Sequence, residues 1–130
     1  MTESVLLDAH VQAKRMYNAL TETMDLTRQL AEASDRDDQV AVQLLVSMRE
    51  EPVKRLRHIQ DAIVQQKEAL EPQDGQRLDQ LMRGEPAADA GEEPLAAQVG
   101  VNLRLWQQLR ELDEVVNRKL TRGKSFYDGT

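Results

Sequence analysis

An all-α fold, an elongated antiparallel bundle of three long helices with a short extra helix, is what this sequence predicts. Apolar residues recur at alternating spacings of three and four over long stretches, the signature of a helix with one buried face. The composition agrees: 31% of residues are charged and only 3% are aromatic, a balance that favours helix over sheet. The breaks fall at a few Pro-, Gly- and Asp-rich points. At 130 residues the chain has the size of one domain, 1–130. Its 40% hydrophobic content implies a thin core with little volume for a deep catalytic pocket.

The first helix is expected from about Glu3 to Ala33. Leu6, Ala9, Ala13, Met16, Leu20, Thr23, Thr27 and Leu30 form a narrow stripe. Such a stripe needs partner helices, because an isolated amphipathic helix is marginal in water. "SDRDD" interrupts the pattern, and Asp35 or Asp37 is a candidate N-cap for the next helix.

The second helix carries Leu45, Met48, Leu56, Ile59, Ile63 and Leu70, with Val42 and Val53 nearby. Pro52 either kinks one long helix or divides it into about 38–50 and 52–70. The apolar face keeps its phase across the proline, which favours one continuous helix kinked near Pro52.

"EPQDG" marks a further break, and "QRLDQLM" predicts a short helix over 76–82 ended by Gly84. Residues 84–94 read as a flexible acidic loop. Glu85, Asp89, Glu92 and Glu93 are expected to be solvated there.

The last long helix starts near Pro94 or Leu95 and runs to about Thr121. Its broad apolar face is Leu95, Val99, Leu103, Trp106, Leu109, Leu112, Val116 and Leu120, with Asn102 assigned to the polar surface. Gly123 is the expected stop, leaving 123–130 as a C-terminal tail. Each uninterrupted long helix would span about 40 Å. The tail holds Phe126 and Tyr127, aromatic in a chain with one Trp, two Tyr and one Phe. They either fold back over the bundle end or hook a partner.

Chemistry is sparse. The chain has no cysteine, which removes disulfides and thiolate catalysis. His58 and Asp61 lie one turn apart, but no second pair of ligands joins them, and His10 borders the core stripe. There is no nucleophile elbow and no phosphate loop. Nor is there the Glu-x-x-His pattern of a di-iron bundle. The expectation is a non-enzyme without cofactor or metal.

The net charge of −6 speaks against nucleic-acid binding. The basic cluster Arg118, Lys119, Arg122 and Lys124 would meet either an acidic partner or the negative end of its own helix. The opening "MTESVLLDAHVQAK" lacks a basic start, and no apolar run is long enough for membrane insertion. A cytoplasmic protein is expected.

The layout resembles the FlgN-like flagellar export chaperones, cytoplasmic escorts of hook–filament junction proteins. The resemblance rests on "LLDAHVQAKRMYNALTETMDLTRQLAEA", on "DRDDQVAVQLLVSMREEPVKRLRHI", and on "NLRLWQQLRELDEVVNRKL" with Asn102 at its start. Tyr127, Asp128 and Gly129 look like the family's terminal motif. Pro52 and the short 76–82 helix depart from the family pattern.

The resemblance implies binding, not catalysis: an apolar groove would hold a helical segment of a secreted flagellar-type protein until handover to an export-machinery component. It implies a cargo surface of Leu109, Leu112, Val116 and Leu120, extended by Phe126 and Tyr127. Trp106 is either the core anchor or a groove residue that seizes a partner helix. Two further readings compete. One is a self-associating helical adaptor or scaffold without a client, and weak homodimerisation is also compatible with the chaperone. The other is a small-ligand-binding bundle.

Overall fold

The structure, a computed structural model, describes the backbone of residues 1–128 and the side chains of residues 1–121. Four helices account for nearly all of it: α1 (Glu3–Asp35), α2 (Gln39–Glu68), α3 (Pro72–Met82) and α4 (Glu93–Asp128). α1 is the central element and packs against both α2 and α4, while the short α3 touches α2 and α4 at one end. Pairings fix the directions. Gln66 of α2 donates to the Val5 carbonyl at 3.0 Å, and Arg55 pairs with Glu22, so α2 is antiparallel to α1. Asn102 donates to the Ala13 carbonyl at 2.9 Å and Lys119 pairs with Asp35, so α4 is parallel to α1.

Serving two partners widens the buried face of α1. Every residue of the expected stripe from Ala9 to Leu30 is buried, and Ala19, Met24, Leu26 and Ala33 join it. Thr23 and Thr27 are fully buried without cost to polar satisfaction. Their hydroxyls donate to the carbonyls of Ala19 and Thr23 at 2.7 and 2.6 Å.

The core divides into three clusters along the bundle. The first combines Ala9 and Ala13 with Leu78, Leu81, Leu95 and Val99. The central one joins Met16, Leu20 and Met24 to Leu56, Ile59 and Leu109. The last joins Leu30 and Ala33 to Val42, Leu45 and Val116.

Helix ends show where local chemistry departs from expectation. Neither Asp35 nor Asp37 is an N-cap: Asp35 closes α1, and it is Asp38 whose carboxylate accepts from Ala41 N at 3.1 Å. Asp37 has φ 55°, and two bonds close a Schellman motif around it: Asp38 N to Ala33 O at 3.0 Å and Asp37 N to Ser34 O at 3.2 Å. α2 is unbroken across Pro52, which is buried among the core residues. Met48, placed on the buried face from sequence, is 47% exposed, because the face runs instead through Leu45, Pro52, Leu56 and Ile59.

α3 starts earlier than the expected 76–82. Pro72 occupies the first turn, where a missing N–H costs nothing. Gly75 is buried so close to α2 that a Cβ would lie 2.9 Å from the Lys67 carbonyl oxygen. α3 ends in a second Schellman motif at Gly84, φ 100°, as the glycine predicted. α4 does not stop at Gly123: the helix continues to Asp128. Glycine in a helix interior is only disfavoured, so a glycine alone does not compel a stop.

Candidate functional site

α2 and α4 flank α1 without a close backbone approach to each other among the described residues. The space between them is an apolar trough of about 360 Å³. α1 supplies its floor through Met16. α2 supplies one wall with Gln60, Ile63 and Val64; α4 supplies the other with Val99, Leu103 and Trp106. Met82, the last residue of α3, closes one end. Beyond the other end, Arg49 of α2 and Asp113 of α4 form an ion pair at 2.8 Å.

The walls follow from helix periodicity. Val99, Leu103 and Trp106 fall at spacings of four and three, so they line one edge of α4. Leu103 is 41% and Val64 44% exposed, so both walls carry a large apolar side chain open to water. Trp106 is half-buried, with part of its ring packed against the central cluster. It therefore serves as core anchor and trough wall together.

Asn102 was assigned to the polar surface from sequence; the structure corrects this. It is 2% exposed, donates to the Ala13 carbonyl and accepts from Gln98 Nε2 at 3.2 Å. This polar clamp holds α4 against α1 beside the trough. A polar residue at a core phase was the signal available in the sequence.

Leu109 and Val116, expected on an open cargo surface, are 4% and 0% exposed. They are consumed by packing against α1, so they offer no free surface in the closed bundle. Leu112 and Leu120 are half-buried against the same clusters. The side chains of Phe126 and Tyr127 lie outside the described residues. Among the described residues, the open large apolar groups of α4 are instead Leu103 and, at 37%, Val115.

The acidic segment before α4 also differs from expectation at one residue. Glu92 is buried, and its carboxylate accepts from Arg77 Nη2 at 2.6 Å, Arg77 Nε at 3.1 Å and Ala88 N at 2.8 Å. The Arg77 guanidinium, aided by the Ala88 amide, holds the Glu92 carboxyl down at about 2 despite the opposing effect of burial. Arg77 also donates to the Pro86 carbonyl at 2.9 Å, so one ion pair pins the α3–α4 connection. Charge pattern alone does not separate this acid from its solvated neighbours.

His58 and Asp61 are both exposed. His10 is half-buried with Nδ1 lacking a protein partner among the described residues. Among those residues no group of three His, Cys, Asp or Glu side chains could hold a metal ion, and no helix is long and apolar enough to cross a membrane.

A separate apolar row runs along the start of α2. Val40, Leu44 and Met48 are 79%, 60% and 47% exposed at spacings of four. No protein family, curated protein or solved structure matches this chain.

Proposed function

We propose that this chain is a helix-binding export chaperone, which sequesters an apolar helical segment of a secreted, flagellar-type protein before handover to the export machinery. The observation that carries this reading is the trough between α2 and α4. It lies between two helices, is largely apolar, and is walled by Leu103, Val64 and Trp106, which the bundle leaves incompletely covered. A helix laid there would convert two flanking helices into three-sided contact around it, with anchors at spacings of three and four. A bend of α2 at Pro52 would curve one wall around the guest. The proposal moves the cargo surface from Leu109 and Val116 to the neighbouring edge of α4. The same reading makes the protein a binder and not an enzyme, acting in the cytoplasm.

The test is site-specific photocrosslinking in a flagellated host. A crosslinker at Leu103 should capture an amphipathic helical segment of an exported protein, and one at Val40, on the opposite side of α2, should not. Capture from Val40 alone, or no capture from Leu103, refutes the trough reading.

The row of Val40, Leu44 and Met48 supports a second reading, a self-associating adaptor. In that case Val40→Glu would dissociate a stable dimer seen by light scattering.

A further inference from the structure

Among the described residues no charged side chain lines the trough itself, so the charges that matter are those of the flanking turns. The Arg49–Asp113 ion pair sets the antiparallel register of α2 against α4. Arg57 lies eight residues from Arg49, about 12 Å along α2. Trp106 lies seven residues from Asp113, about 10 Å along α4 in the same direction. Arg57 is therefore level with Trp106 on the facing helix, one turn before Gln60 of the trough wall. Arg110 follows Trp106 by four residues and extends the Leu103–Trp106 row one turn towards the ion pair. Both arginines are exposed, and neither takes part in an ion pair among the described residues. Asp61 and Glu114 each stand one turn C-terminal to these arginines, Asp61 towards Met82 beside Gln60 and Glu114 towards the ion pair, at phases about 40° further from the trough. Helix spacing thus puts Arg57 and Arg110, neither of them ion-paired among the described residues, next to the end of the trough away from Met82, in a chain whose net charge is −6.

We infer that the occupant is an amphipathic partner helix whose apolar residues fill the trough and whose acidic side chains lie between Arg57 and Arg110 at the Trp106 end. This rests on the trough being a helix-binding site and adds the charge and polarity of the guest. Guanidiniums meet carboxylates in a forked geometry that a lysine-bearing helix cannot use, and like charge at this position repels the wrong guest. The guest's direction follows as well: its apolar end points to Met82.

Trp106 is the only tryptophan, so its emission reports on the trough directly. Two synthetic helical peptides of about 18 residues share one Leu-rich face. One carries two Glu a turn beyond its last Leu; the other carries two Lys there. At low salt the full chain should bind the Glu peptide at least about fivefold more tightly, an advantage that shrinks as salt screens the contact. Arg57→Glu with Arg110→Glu should invert the order.

If circular dichroism shows that this pair lowers helicity, Arg57→Gln with Arg110→Gln should abolish the preference instead. Equal affinity of the native chain for both peptides overturns the charge inference and leaves the trough reading standing. No change in Trp106 emission with either peptide overturns both. A stable dimer of the chain alone that shields Trp106 would make a second copy the occupant and overturn the inference.

Discussion

Removing the charge of Glu92 isolates the contribution of the pinned connection before α4. Glu92→Gln keeps the shape and most of the hydrogen-bonding capacity, but it loses the charge-assisted character of the contacts to Arg77. A carboxyl held at about 2 in the folded chain, against an ordinary 4.5, corresponds to about 3 kcal/mol if the whole shift enters folding. The side chains of Arg77 and Glu92 are 26% and 9% exposed, and the protein cover around the pair is thin. Solvent screening therefore lowers the expectation to about 1–2 kcal/mol at neutral pH.

The sign follows from linkage: a depressed carboxyl stabilises the fold fully above 4.5 and loses that contribution as pH falls towards 2. Urea denaturation of the native chain and of Glu92→Gln at pH 7, 4 and 3 measures the difference. It should be about 1–2 kcal/mol at pH 7 and should shrink on acidification. A variant as stable as the native chain at pH 7, or a difference that grows as pH falls, refutes the reasoning.

Three further substitutions test the packing and the helix ends. Leu20→Ala, at a fully buried position of the central cluster, should cost about 3–4 kcal/mol in urea denaturation through lost burial and a residual cavity. Asp37→Gly should raise stability by about 1 kcal/mol, because Asp37 holds φ 55° at a Schellman position that glycine adopts without strain. Gly84→Ala should lower stability by about 1–2 kcal/mol, since φ is 100° and the new Cβ would lie 2.8 Å from Leu103 Cδ1. It should also change Trp106 emission, because Leu103 must move within the trough wall.

Periodicity carried the element order well. The stripe on α1 and the anchors Leu95, Val99, Leu109 and Val116 on α4 are buried as their spacing implied. The ends carried less. "SDRDD" offers three aspartates in four positions, and only the assembled turn shows which caps α2 and which adopts positive φ. Gly123 shows the converse difficulty, since glycine permits a stop without compelling one.

The candidate site was half legible. Trp106 was identified as a residue of either the core or a groove, and the structure gives it both roles. The family resemblance gave Leu109 and Val116 to a cargo surface, but the bundle itself covers them; an apolar stripe records that residues avoid water, not whether the covering surface is internal or a guest's. Leu103 belongs to that stripe yet is left open, because α2 and α4 flank α1 without a close backbone approach to each other among the described residues.

By itself the sequence determined the order of the helices and most of their buried faces, since these follow from residue types at fixed local spacing. Only the tertiary structure decided that α1 is the shared centre, that Asn102 and Glu92 are buried and bonded, and that a trough opens between α2 and α4. Those features depend on which faces meet across the chain, and long-range pairing is not encoded in any local period.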